Sequence, residues 1–224
     1  MGKVKIAVLA GTPTDTAIGV ELVNGYGYEA LGAPTSQSGP EQDELQKKDP
    51  AKLLQVTLGL IREKADEGAE AALIYCNSLS VAVDVDELKK QAPIPVVTPL
   101  DAHAEIAKKY RHVGVLAATA KSVAGLEMVY YDIGMDDENF DNRFQGCSAL
   151  PLVMGIERHE PPLGLIEGRG VLGLCEGMIG YGAECIVLGC THFPYIAKEL
   201  AEHISVPVIN PDDIMMDMIK ELAG

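Results

Sequence analysis

Two short stretches of this chain follow one plan, and that repetition constrains the fold more than any other feature. Ala71-Ala72-Leu73-Ile74-Tyr75-Cys76-Asn77-Ser78-Leu79-Ser80 is an apolar run of strand length that ends in a cysteine and then amide and hydroxyl residues. Cys185-Ile186-Val187-Leu188-Gly189-Cys190-Thr191-His192-Phe193-Pro194 does the same. Each reads as a buried strand whose end delivers a thiol to the start of the following helix. The match extends to both sides. His112-Val113-Gly114-Val115-Leu116-Ala117-Ala118-Thr119 restates Lys5-Ile6-Ala7-Val8-Leu9-Ala10-Gly11-Thr12, and Val206-Pro207-Val208-Ile209-Asn210-Pro211 echoes Ile94-Pro95-Val96-Val97-Thr98-Pro99. Matched segments in the same order mark an internal duplication.

A duplicated strand, loop and helix pattern predicts an α/β protein of two pseudo-symmetric parallel-sheet sandwich domains. The first half takes residues 1–98 plus 208–224 and carries Cys76; the second takes 99–207 and carries Cys190. Ligands of such sheets sit beyond the carboxyl ends of the strands. Facing halves would then put both thiols in one cleft, the expected active site.

Along the chain, 16–23 reads as helical after the Gly11-Thr12-Pro13-Thr14 loop. Residues 25–40, rich in Gly, Tyr, Pro and Ser, read as a short strand and a long loop. Leu53, Leu54, Val56, Thr57, Leu60 and Ile61 recur at helical spacing up to Gly68. Helices are expected over 81–91, 100–110, 125–134 and, weakened by glycines, 166–180. A short strand is expected within 148–156, and 136–143 reads as an acidic surface stretch.

With 33 acidic against 18 basic side chains the net charge is −15, which repels nucleic acid and anionic membrane. No apolar run has the length of a membrane span, and Met1-Gly2-Lys3-Val4-Lys5-Ile6 leads into a strand rather than a signal peptide, so a cytoplasmic location is expected. Five cysteines at irregular spacing argue against a disulfide framework. Cys147, Cys175 and Cys185 read as small buried hydrophobes.

Cys76 and Cys190 differ because a helix start lowers a thiol's pKa. Asn77, Ser78 and Thr191 are residue types that cap helices and hydrogen-bond a carboxylate, and helix-start N–H groups hold anions even on an acidic protein. One thiolate and one thiol on opposite faces of a carbon could remove a proton and supply another from behind, inverting the centre. His192 could accept the Cys190 proton or donate to a substrate.

At these residues the chain resembles the cofactor-independent aspartate/glutamate racemase superfamily. Leu188-Gly189-Cys190-Thr191-His192-Phe193-Pro194 is similar to the second-cysteine motif of glutamate racemases, with a histidine where aspartate racemases usually carry an acidic residue. Tyr75-Cys76-Asn77-Ser78 is similar to the first motif, with Ser78 where threonine is usual. Val113 to Ser122 resembles the strand and hydroxyl-bearing loop of the second half. The resemblance implies a two-domain fold, no cofactor, inversion by Cys76 and Cys190, and a possible homodimer. It implies substrate contacts at Gly11, Thr12, Asn77, Ser78, Thr119, Ser122 and Thr191. The chain departs from the glutamate racemases in having Gly11-Thr12-Pro13-Thr14 where they carry Asp-Ser-Gly; Asp15 is near but not aligned. It is also shorter, closer to aspartate racemases.

Gly168-Arg169-Gly170-Val171-Leu172-Gly173 matches a dinucleotide fingerprint on paper but lacks its strand, turn and helix setting. Cys190 and His192 lack further ligands at metal-site spacing, so no metal is expected. The expectation is therefore a racemase acting on a small acidic amino acid, glutamate or aspartate. The alternatives are a maleate isomerase-like or decarboxylase-like enzyme on another small carboxylate, or a two-lobed binder with inert thiols.

Overall fold

A computed structural model describes residues 2–135 and 143–223. The acidic stretch expected over 136–143 lies outside them, apart from Arg143. Contacts divide the chain into two units, Met1–Asp101 with Asp212–Gly224 and Ala102–Pro211.

The first unit runs β1 (Lys5–Ala10), α1 (Pro13–Gly25), β2 (Glu29–Pro34), α2 (Gly39–Lys48), α3 (Pro50–Asp66), β3 (Ala71–Ile74), α4 (Asn77–Ser80), α5 (Val85–Gln91) and β4 (Val96–Val97). Helix α6 (Pro99–Lys109) contains the boundary. The second unit continues with β5 (His112–Ala117), α7 (Ala120–Gly134), β6 (Arg143–Ser148), α8 (Leu150–Glu157), α9 (Pro162–Gly168), α10 (Val171–Gly180), β7 (Cys185–Gly189), α11 (Pro194–His203) and β8 (Val208–Ile209). Helix α12 (Pro211–Leu222) then belongs to the first unit.

Both units hold a four-stranded, all-parallel sheet, in the orders β2-β1-β3-β4 and β6-β5-β7-β8. The two orders are one order, strand for strand. Parallel neighbours need crossover helices, which cover both faces, so the central strands read as continuous apolar runs rather than alternating ones. Strands β3 and β7 are buried at every residue.

In the first unit Leu53, Leu58 and Ile61 of α3 pack on Ala7, Leu9, Ala72 and Ile74. Helix α1 lies on the opposite face, where a Cβ on Gly19 would strike Val8 and the Tyr75 ring, so only glycine permits that approach. Tyr75 donates its hydroxyl proton to the buried Asp212 at 3.1 Å, and Tyr26 donates to Asp213. Those bonds tie the start of α12 to its unit.

In the second unit Leu152, Ile156, Leu165, Ile166, Cys175, Met178, Ile196 and Leu200 pack with Leu116, Ile186 and Leu188. The buried His103 of α6 meets the Tyr130 hydroxyl of α7 through Nδ1 at 2.9 Å. Burial lowers the His103 pKa to about 3, so the imidazole is neutral.

Several elements differ from the sequence reading. The long loop expected before residue 40 is four residues, because Ser38 caps α2 by accepting from the Glu41 N–H while the Glu41 carboxylate accepts from the Gln37 N–H. The helix expected over 81–91 starts later, as α5 at Val85, with Asp84 capping it by accepting from the Glu87 N–H. Within 148–156 only Ser148 is strand, as the end of β6, and the residues from Leu150 on form α8. Helix α7 begins at Ala120, five residues earlier than its apolar spacing suggests, because Thr119 caps it. Among the described residues no helix is long and apolar enough to cross a membrane.

Candidate active site

Adjacent strands β1 and β3 release their chains side by side at their carboxyl ends, with Leu9 opposite Ile74 and the Tyr75 N–H bonded to the Leu9 carbonyl at 2.7 Å. Gly11 and Cys76 therefore become neighbours. Cys76 is the N-cap of α4, is almost fully buried, and its sulfur lies 3.2 Å from Ser78 Oγ. The backbone N–H groups of Leu79 and Gly11 point at that sulfur. The Gly11 carbonyl is held by the Ser36 N–H at 3.1 Å and by the Ser36 hydroxyl.

The expectation that a helix start lowers the Cys76 pKa does not hold. Burial raises it to about 11, and the negative charge of buried Asp15 acts in the same direction. The Ser78 hydroxyl and the two N–H groups oppose this and lose. One turn of helix cannot offset complete removal from water.

Asn77, next to this sulfur, is buried, and its Oδ1 has no hydrogen-bond partner. A buried amide oxygen without a partner is costly unless a ligand or water supplies one. Neither Asn77 nor Ser78 caps α4 with its side chain, contrary to the sequence reading.

The second unit repeats the arrangement. Ala117 pairs with Gly189, so β5 and β7 release Thr119 and Cys190 from adjacent strand ends. Here the helix starts later: Cys190, Thr191 and His192 form a turn closed by the Phe193 N–H on the Cys190 carbonyl at 3.0 Å, and α11 begins at Pro194 with Phe193 as its N-cap. Cys190 is thus not the first residue of its helix, and Thr191 does not cap it. All three turn residues are buried.

His192 Nδ1 lies 3.8 Å from Cys190 Sγ, and Nε2 lies 3.5 Å from Glu157 Oε1. The imidazole thus has a thiol near one ring nitrogen and a carboxylate near the other. Glu157 is the last residue of α8, just before a turn in which His159 takes a left-handed φ of 54°. Glu160 fastens this turn through Arg158 and Arg169, which together hold its carboxyl below the usual range.

Thr119 and Ser122 bond to each other at 3.0 Å, and Thr119 also accepts from the Ser122 N–H at 3.2 Å. Their counterparts are Thr12, which accepts from the Asp15 N–H, and Asp15 itself. In the first unit a carboxylate stands where the second has a hydroxyl. Among the described residues no group of three or more His, Cys, Asp and Glu could hold a metal ion.

Three residues escaped the sequence reading. Asp15 enters that reading only as near but not aligned, and neither Glu157 nor Gln42, whose Nε2 donates to Ser78 Oγ at 3.2 Å, enters it. The pairing of Thr12-x-x-Asp15 with Thr119-x-x-Ser122 could have revealed the first. No local pattern marks the other two.

The sequence pattern of the Asp/Glu/Hydantoin racemase family matches residues 5–219, nearly the whole chain. The chain belongs to this family. Among the racemases it resembles, the glutamate racemase of Stutzerimonas stutzeri is 31% identical over 160 residues, covering 67% of this chain and 54% of that protein. The chain spans about half the length of the glutamate racemases it matches in sequence. The crystal structure of glutamate racemase from Francisella tularensis in complex with D-glutamate gives a TM-score of 0.70 at 20% identity, covering 98% of this chain and 81% of that one. An aspartate racemase homologue from Pyrococcus horikoshii gives 0.66 at 19% identity over 98% of both chains. At such identities these structures share the racemase fold with this chain: two α/β domains, each built on a four-stranded parallel sheet.

Proposed function

We propose that this chain is a cofactor-independent amino-acid racemase acting on glutamate or aspartate, with Cys76 and Cys190 as its acid and base. The observation that supports it most is the equivalence of the two cysteines. Each follows the third strand of one repeated topology, and each stands in a buried polar setting.

In this reading one cysteine, as thiolate, takes the Cα proton and becomes a thiol. The other thiol gives its proton to the opposite face of the carbanion and becomes a thiolate. The atoms balance, and the product is the enantiomer with the two cysteines' protonation states exchanged. With its pKa near 11, Cys76 rests as the thiol. His192, backed by Glu157, takes or returns the Cys190 proton. Asn77 Oδ1 finds its partner in the substrate ammonium, while Ser78, Thr191 and the hydroxyls of Thr12, Thr119 and Ser122 serve the carboxylates or hold the loops that do.

The test is incubation with L- and D-glutamate and with L- and D-aspartate in deuterium oxide, following the Cα proton by NMR. Exchange with one pair names the substrate. No exchange with either removes the proposal. Replacement of Cys76 or Cys190 by serine, which cannot ionise at working pH, is expected to abolish racemisation.

A further inference from the structure

The Cys76 site contains a side chain that the reaction just described leaves unused. Gln42 lies on α2, on the same helix face as the half-buried Leu45 and the buried Gln46. Its side-chain amide rests on Gly11, where an added Cβ would overlap it. From that seat Nε2 donates to Ser78 Oγ at 3.2 Å and comes within 4.0 Å of Cys76 Sγ.

The hydrogen-bond inventory makes this contact directional. An amide nitrogen only donates, so Ser78 Oγ is the acceptor. A serine hydroxyl has a single proton. With one of its two lone pairs taken by the Gln42 donor, the hydroxyl is biased to turn that proton to the Cys76 sulfur 3.2 Å away. Without Gln42 the same pair could reverse, with the thiol donating to Ser78 and resisting ionisation.

We propose that Gln42 is a positioning residue for Cys76: its amide, seated on Gly11, orients the Ser78 hydroxyl to donate to the sulfur and so favours the thiolate. The inference rests on the proposed function only in requiring that Cys76 ionise during turnover. The groups facing the sulfur are the Asp15 carboxylate from α1, the neutral Gln42 amide from α2, the Ser78 hydroxyl and Leu79 N–H from α4, and the Gly11 N–H. Asp15 opposes ionisation; Gln42 acts through Ser78 against it.

The experiment is iodoacetamide alkylation of the full chain across a pH series, read by mass spectrometry at the Cys76 peptide with the Cys190 peptide as internal reference. The readout is the pH midpoint, which altered reagent access does not move. Gln42→Met keeps length and removes the donor; it is expected to raise the Cys76 midpoint so that the thiolate fraction at neutral pH falls roughly tenfold. Gln42→Glu, an acceptor with a negative charge, is expected to raise it further. Gly11→Ala, which expels the amide without altering it, should act like Gln42→Met and serves if that variant does not fold. In a Ser78→Ala background, Gln42→Met should raise the midpoint by less than it does alone, since only the 4.0 Å contact of Nε2 with the sulfur is then lost. An unchanged or lowered Cys76 midpoint in Gln42→Met or Gly11→Ala overturns the proposal, as does an additive effect in the Ser78→Ala background. Deuterium exchange into amino acids tests the racemase reading separately, since alkylation requires no turnover.

Discussion

Asp15 shows how much one side chain's charge matters in a buried site. It stands at the position that Ser122 takes in the other unit, and its carboxylate disfavours the Cys76 thiolate. Asp15→Asn removes that charge at nearly constant shape. The pH midpoint of Cys76 alkylation should therefore fall, with faster alkylation at neutral pH and no change at Cys190. A midpoint that stays or rises would show that Asp15 does not act on the sulfur through its charge. The cysteines themselves were legible because a polar, thiol-ended break in an apolar run is conspicuous in sequence. The raised pKa of Cys76 was not, because burial is a property of everything packed around it.

Elements were legible where their apolar pattern matched their setting. Strands β1, β3, β5 and β7 are buried on both faces and so appear as uninterrupted apolar runs. Two helices hid. Helix α2, Gly-Pro-Glu-Gln-Asp-Glu-Leu-Gln-Lys-Lys, has almost no apolar residues from which to read a period, and it is held by its cap. Helix α8, Leu-Pro-Leu-Val-Met-Gly-Ile-Glu, is so uniformly apolar that it passes for a strand. Gln42 and Glu157 lie on these two helices, which is why the surroundings of each cysteine look simpler in sequence than they are. Helix α12 offers a test at this scale. Its Asp212 is buried and accepts from the Tyr75 hydroxyl. Tyr75→Phe should cost about 1–3 kcal/mol of stability, measured by urea unfolding, because a charged acceptor loses a donor. A loss within error would mean that Asp212 is satisfied without it.

His103 couples the stability of the whole molecule to pH. His103 is neutral in the native chain, with its pKa lowered to about 3 by burial, whereas an exposed histidine in the unfolded chain titrates near 6.5. Between those values the unfolded state binds one more proton than the native state. Stability from this residue is therefore intact above about 6.5 and is lost as pH falls, by about 1.4 kcal/mol per pH unit. His103→Gln, which can still bond to Tyr130 but does not titrate, should lose stability less steeply between neutral and mildly acidic pH. Parallel unfolding curves for the two proteins would refute this. The duplication that disclosed the fold, with β2-β1-β3-β4 repeated as β6-β5-β7-β8, was legible because both copies retain the same strand-end chemistry.

The placement of α12 also sets an order of completion during synthesis. The second unit is one uninterrupted segment, whereas the first draws its closing helix from beyond it. A nascent chain emerging from the ribosome can finish the later-encoded lobe while the earlier one still waits for its last helix, and with it Asp212, to arrive.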